Sequence, residues 1–156
     1  MDRIETFFSA IRAGNIIKVK DLLNHSPDLI GTKDQRGSTP LILSTYYDQG
    51  EIVDFLLDNN APLDDKDTSG NTALMGVCFK GFTDIAKKLI EKGARVNERN
   101  AMGSTALIYA VSFNRLEIAK LLLSNRADTA AKDQRGNTAL DYAKLQGAPE
   151  LIDLLE

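Results

Sequence analysis

Few side chains in this sequence combine the types and spacing that catalysis or metal binding requires. His25 is the only histidine and Cys78 is the only cysteine. A general base or a metal ligand needs catalytic or ligating partners, and the sequence around His25 matches no such motif, so we expect an exposed or capping histidine there. For Cys78 two hypotheses stay open, a small buried side chain and a redox-sensing thiol.

The segment that begins at Asp65 partly matches a calcium-binding loop. Oxygen-bearing residues occupy its first, third and fifth positions, and Gly70 occupies the sixth. Its twelfth position, however, is Gly76, where such a loop requires a glutamate that binds the cation with both oxygens. The clustered glycines that hold phosphate groups are also missing from the sequence. We therefore predict no metal, no cofactor and no enzymatic activity.

Composition and charge narrow the classes of partner. The chain has 156 residues and a formal net charge of -3, which gives no long-range attraction for nucleic acid or an anionic membrane. No apolar run approaches the roughly 18 residues that a membrane span needs. The first residues, with Asp2, Glu5 and only the short apolar pair Phe7 and Phe8, do not resemble a signal peptide. We expect a cytoplasmic protein.

One short sequence motif, called the phrase below, recurs four times along the chain. It consists of Asp or Asn, a glycine three residues later, a threonine two residues after the glycine, and a leucine two residues after the threonine. Its copies are Asp34–Leu41, Asp67–Leu74, Asn100–Leu107 and Asp133–Leu140, at a constant spacing of 33 residues. The glycine and the acid or amide favour a turn, and the threonine can cap a helix that starts directly after it. A period of this length indicates a helical solenoid.

The period divides one all-α domain, residues 1–156, into helix-turn-helix units joined by β-turn or hairpin loops. We predict an N-terminal capping unit at 1–33, because this segment keeps the helical pattern but lacks the phrase. Three full units follow at 34–66, 67–99 and 100–132, and a C-terminal capping unit follows at 133–156. In each full unit the second helix has a stripe of buried apolar residues.

Helix ends are also predicted from the repeat. Asn60 and Gly93 follow the second helices of two units, at a place where helices often end in a left-handed conformation. Arg126 stands at the same place in the next unit, where a left-handed backbone would cost about 1 kcal/mol. In the first unit we expect Ile4, Phe7, Phe8 and Ile11 on one helix face, and a second helix from 17 to about 24.

The phrase resembles the Thr-Pro-Leu-His-x-Ala signature of ankyrin-repeat proteins. The corresponding segments are Thr39–Ser44, Thr72–Val77, Thr105–Ala110 and Thr138–Ala143. This resemblance implies an all-α ankyrin solenoid with about five repeats, including the two caps. The family's histidine is replaced in every copy, so the hydrogen bonds that it makes in other members cannot be assumed here. The replacing residues are Ile42, Met75, Ile108 and Asp141.

The segment Gly70–Gly81 resembles that of small stand-alone bacterial ankyrin proteins. Some of those relatives are associated with catalase and peroxide defence. This resemblance gives an alternative function, a redox-responsive accessory protein that acts through Cys78.

The resemblance also implies which residues bind a partner. In the family these are the second, third and fifth positions of each turn and two positions late in each first helix. The turn positions are Gln35, Arg36, Ser38, Thr68, Ser69, Asn71, Ala101, Met102, Ser104, Gln134, Arg135 and Asn137. The helix positions are Tyr46, Tyr47, Phe79, Lys80, Ser112, Phe113, Leu145 and Gln146.

Aromatic rings are concentrated at these helix positions, in a chain without tryptophan. Aromatic and arginine side chains are typical of interface hot spots, but the same rings could instead cover the neighbouring first helix. The leading hypothesis is a non-catalytic, monomeric module that binds another protein on its concave face. The alternatives are the redox role of Cys78 and self-association through the aromatic residues.

Overall fold

The computed structural model describes residues 2–156, and this range contains ten α-helices and no strand. A short 3-10 helix at Pro27–Gly31 follows the second of them. The helices are α1 Arg3–Arg12, α2 Ile16–His25, α3 Pro40–Tyr46, α4 Gly50–Asp58, α5 Ala73–Lys80, α6 Thr83–Glu91, α7 Ala106–Ser112, α8 Leu116–Ser124, α9 Ala139–Gln146 and α10 Pro149–Leu155.

The helices form five consecutive pairs that stack in two layers. The first helices, α1, α3, α5, α7 and α9, each pack against the next one along the stack. The second helices form the other layer, in which α2 contacts α4, α6 contacts α8, and α8 contacts α10. This arrangement confirms the predicted all-α solenoid. The predicted unit boundaries fall in the loops between the pairs.

Each recurring phrase forms a tight turn that the structure holds with the same bonds. In the first turn the Gly37 amide donates to the Asp34 carbonyl at 3.0 Å, and the Asp34 amide donates to the Ser38 carbonyl at 3.0 Å. The Asp34 carboxylate also accepts from the amides of Arg36 and Ser38, at 2.9 and 3.0 Å. The acidic or amide residue therefore fixes the turn through its side chain, as its type predicts.

The threonine of each phrase caps the helix that follows. The hydroxyls of Thr39, Thr72, Thr105 and Thr138 accept the backbone amide three residues later, at 3.1 to 3.3 Å. In the last unit the Asp141 carboxylate also accepts a hydrogen bond from the Thr138 amide, at 2.9 Å, and this second bond completes a capping box.

Successive turns bond to one another along the stack. The amide of Thr68 donates to the Arg36 carbonyl at 3.1 Å, and the same bond recurs at each of the next two steps. A Cβ added at Gly70 would lie 2.7 Å from the Ala101 nitrogen, whereas one added at Gly136, in the last turn, would meet nothing within 4 Å. The interior glycines thus allow neighbouring turns to approach closely.

The ends of the second helices agree with the prediction. Asn60, Gly93 and Arg126 have φ values of 61°, 101° and 67°, so all three backbones are left-handed. In the first unit the second helix runs from Ile16 to His25, within one residue of the prediction at each end. Phe7, Phe8 and Ile11 are buried on the predicted face of α1, and Ile4, which is 36% exposed, lies at the edge of that face.

Candidate partner-binding surface

The turn tips and the first helices line a groove along one side of the stack. Its larger concavity, of about 970 Å³, lies at the N-terminal end. Ile4 and Phe8 of α1 line one side, and Arg36, Tyr46 and Tyr47 are among the residues of the other. The concavity lies where the first unit has no turn of its own. Sequence reasoning did not predict it, although the missing phrase in residues 2–33 was the available signal.

A second, smaller concavity lies between the last two turns. It has a volume of about 220 Å³ and is lined by Met102, Phe113, Gln134, Arg135 and Tyr142, among others. The two concavities therefore include side chains from most of the predicted binding set.

Four exposed aromatic rings lie at the late positions of the first helices. Tyr46, Tyr47, Phe79 and Phe113 are 38 to 47% exposed. They also pack against one another, since Tyr46 and Tyr47 make an edge contact with centroids 5.6 Å apart, and Phe79 and Phe113 make one at 4.6 Å. Each ring is thus fixed by a neighbour and still presents much of its surface to solvent.

Two basic side chains, Lys80 and Arg115, link neighbouring units near these rings. The Lys80 ammonium lies over the Tyr46 ring, 4.6 Å from its centroid, and links two units. Arg115 donates to the Phe79 carbonyl at 3.0 Å and so fixes the end of α5 from the next unit. Its guanidinium also fills the space beside Gly81, where an added Cβ would lie 2.8 Å from its Cζ. Arg115 was not predicted from the sequence, because it lies outside the motif positions.

The second and third turn positions are exposed in every turn, but the fifth positions are not. Ser38 lines the larger concavity but is buried, with 8% of its surface accessible, and its place among the binding residues stays a prediction. The Asn71 side chain joins two turns by accepting from Asn100 at 2.9 Å. Asn71, Ser104 and Asn137 are half-buried.

The remaining helix positions differ along the stack. Ser112 is half-buried, and its carbonyl accepts from the Gln146 side chain at 2.6 Å. Leu145 is exposed at the C-terminal end. The exposed apolar members of the predicted set therefore extend from Tyr46 in the second unit to Leu145 in the last.

We name the exposed and half-buried predicted residues the concave surface. Its members are Gln35, Arg36, Tyr46, Tyr47, Thr68, Ser69, Asn71, Phe79, Lys80, Ala101, Met102, Ser104, Ser112, Phe113, Gln134, Arg135, Asn137, Leu145 and Gln146.

The residues that could do chemistry are not brought together into a common site. Cys78 is fully buried in α5, and burial raises its pKa, which disfavours the reactive thiolate. His25 is exposed at the end of α2, where its Nδ1 lies 2.8 Å from the Asp21 carbonyl oxygen. One oxygen of Asp67, in the segment that partly matches a calcium loop, accepts two turn amides. Within residues 2–156 no group of three metal-ligating side chains is assembled.

The comparisons with known proteins agree with the repeat geometry. The family described as ankyrin repeats (3 copies) matches residues 7–100 and 74–156, which together span most of the chain. The chain belongs to the ankyrin-repeat family. Ankyrin repeats generally mediate protein–protein interactions and are typically non-catalytic. A search among curated proteins found no match, so the resemblance to bacterial relatives with a peroxide-defence association stays a prediction.

No helix within the described part of this ankyrin-repeat chain is long and apolar enough to cross a membrane. Stacked repeats of this kind form extended concave faces, and such faces are the surfaces that repeat proteins use to bind partners.

Proposed function

We propose that this ankyrin-repeat protein is a non-catalytic binding module that holds a partner protein on its concave surface. The observation that carries the proposal is the set of four exposed aromatic rings, of which Tyr46 and Tyr47 line the larger concavity and Phe113 lines the smaller one. Monomeric proteins rarely expose neighbouring large apolar side chains unless a partner covers them. The flanking arginines, Arg36 and Arg135, complete a composition that is typical of interface hot spots.

Rigid presentation is the proposed mechanism. The turns are bonded to one another, and the rings are held in edge contacts before any partner arrives. Binding therefore orders few side chains, and less of the interaction free energy is lost as conformational entropy.

The test is a double variant, Tyr47→Ala with Phe113→Ala, used to capture partners from the source cells. We expect retention of the helical circular dichroism signal and a loss of about 1 to 3 kcal/mol of unfolding free energy, because each ring makes partly exposed aromatic contacts. Affinity for the captured partner should fall about tenfold or more, as expected for hot-spot aromatics.

Ile17→Ala is the matched control. Ile17 is a large apolar residue with 80% exposure on α2, in the second-helix layer away from the groove. It should leave affinity unchanged. Equal capture by the wild-type protein and the double variant would contradict the assignment of the concave surface, as would equal losses in the double variant and the control.

The redox alternative has no structural support, because Cys78 is buried and its pKa is raised.

Self-association through the aromatic rings predicts a dimer that the double variant abolishes. Sedimentation of the wild-type protein distinguishes a dimer from a monomer, and we expect a monomer.

A further inference from the structure

The stacked turns form a ladder of hydrogen bonds that is open at its N-terminal end. The amides of Thr68, Ala101 and Gln134 each donate to a carbonyl of the preceding turn, at 2.9 to 3.1 Å. Gln35 has the equivalent place in the first turn, which no other turn precedes. Its amide forms no hydrogen bond within residues 2–156, and Gln35 is exposed. The first turn therefore presents a backbone donor that every later turn uses.

A second series of bonds joins the residues that stand directly before the turns. The Lys33 ammonium donates to the Lys66 carbonyl at 3.0 Å, and the Lys66 ammonium donates to the Arg99 carbonyl at 2.9 Å. Arg99 donates to the Lys132 carbonyl in the same way. The Lys33 carbonyl, at the start of the series, has no donor among the described residues. The open end thus offers one backbone donor and one backbone acceptor whose equivalents in later units are paired.

These two groups belong to residues that line the larger concavity. Lys33 and Gln35 lie on one side of it, and Ile4 and Phe8 of α1 lie on the other. Its volume, about 970 Å³, is at the upper end of the range for clefts that bind ligands. The concavity therefore continues the interface between neighbouring turns beyond the first turn.

The interior turns show what kind of segment fits against such a donor. A Cβ added at Gly37 or Gly70 would lie 2.9 or 2.7 Å from the amide nitrogen of the next turn. A segment that approaches the Gln35 amide in the same way needs a glycine at the point of contact. To pair the Lys33 carbonyl as well, it needs a basic side chain directly before its turn.

A second copy of the chain does not fit this place in register. The last turn of a copy, at 133–138, leads directly into its α9. That helix would have to lie beside α3, where α1 already packs. A loop that projects from the surface of another protein avoids this overlap.

We propose that the first turn binds a glycine-containing turn of the partner protein. Its pattern is a basic residue, then Asp or Asn, two variable residues and Gly. This proposal rests on the proposed function and specifies how the partner is recognised at the larger concavity. The carbonyl before the partner's glycine accepts from the Gln35 amide, and the basic side chain donates to the Lys33 carbonyl. The partner segment takes the place of the missing turn, much as an added strand extends the edge of a sheet.

A disulfide-closed peptide with the sequence of residues 132–138 is the probe. This segment has the required pattern, and the bond from the Asp133 amide to the Asn137 carbonyl holds its two arms together, so cysteines added at both ends can close it. Added to the isotope-labelled full chain, the peptide should shift the amide resonances of Gln35 and the rest of the first turn. A peptide with alanine in place of its glycine should bind about tenfold more weakly, because its Cβ meets the Gln35 amide.

Gln35→Pro is the decisive variant of the protein. Gln35 is the second residue of its turn, where proline suits the backbone, so the change removes the amide donor and keeps the turn. It should weaken peptide binding about fivefold or more, whereas Gln35→Ala keeps the amide and should weaken binding less. Both variants should keep the wild-type midpoint of urea unfolding. Thr68→Pro should lower that midpoint, because the Thr68 amide is already bonded within the stack.

Three results would overturn the proposal. The first is equal binding of the peptide by the wild-type protein and Gln35→Pro, and the second is no shift of the Gln35 amide at about 1 mM peptide. The third is a dimer in sedimentation that Gln35→Pro dissociates, which would assign the open end to a second copy. The proposed function fails separately, when Tyr47→Ala with Phe113→Ala leaves partner capture unchanged.

Discussion

Cys78 shows how the repeat sets the environment of a single side chain. The equivalent positions of the neighbouring units hold Thr45 and Val111, and all three are buried in first helices. The packing at this position therefore accepts a side chain of this size, and the thiol of Cys78 lies in the core and is not accessible to solvent.

This burial predicts that Cys78 is inert in the folded protein. Because its pKa is raised by desolvation, little thiolate forms near neutral pH, and a reagent can reach it only after local or global opening. An aromatic disulfide reagent should label Cys78 slowly in buffer and quickly in concentrated urea. Cys78→Val, which copies Val111, should change the unfolding free energy by less than about 1.5 kcal/mol. Fast labelling of the native protein would restore the redox hypothesis.

At the scale of single residues the sequence predicted turns and helix caps better than exposure. Local backbone geometry determines the turn acids, the capping threonines and the left-handed Arg126, and the repeat shows these positions several times. The burial of Ser38 was not predicted, because it depends on how the following helix packs. Arg115 was missed because its bond to the Phe79 carbonyl joins two units and has no local signature.

At the scale of the elements, the turn stack gives a matched pair of glycines. Gly70 and Gly136 have φ values of 80° and 82°, so alanine causes similar backbone strain at both. Only at Gly70 would the new Cβ approach the next turn, at 2.7 Å from the Ala101 nitrogen. Gly136→Ala should cost about 1 to 2 kcal/mol from strain alone. Gly70→Ala should cost about 1 to 3 kcal/mol more, because the turns must separate.

Urea unfolding of the two variants measures this difference. Equal costs would show that the glycines serve only the turn conformation, and that contact between neighbouring turns does not hold the stack together.

The last unit predicts an acid-sensitive end of the solenoid. Partial burial acts to raise the Asp133 pKa, but bonds from Tyr142 and from the amides of Asn137 and Arg135 outweigh it, so the pKa is lowered. A carboxyl with a lowered pKa stabilises the fold above its unfolded pKa of about 3.9, and this stabilisation is lost as pH falls through the folded value.

Asp133→Asn should therefore weaken the unfolding free energy at pH 6 and flatten its decline below about pH 4. The measurement is urea unfolding at a series of pH values. Lys87→Gln, an exposed substitution on α6, serves as the control and should keep the wild-type slope. An unchanged slope in Asp133→Asn would contradict the assigned role of this carboxyl.

At the scale of the whole molecule, the 33-residue period was enough to predict the stack and the side that carries the groove. The larger of the two concavities was not predicted, because it arises from a turn that the first unit lacks rather than from residues that it contains. The aromatic rings were left between two interpretations, partner contact and mutual packing. The structure shows the packing contacts together with the exposure that partner contact requires.

The most direct measurement of the central claim is a map of backbone amide chemical shifts as the captured partner is added to the labelled protein. The account predicts the largest changes at the turn tips and at the ends of α3, α5 and α7, with the second helices α2, α4, α6 and α8 nearly unchanged. Shifts concentrated on the second helices, with the turn tips unaffected, would contradict it.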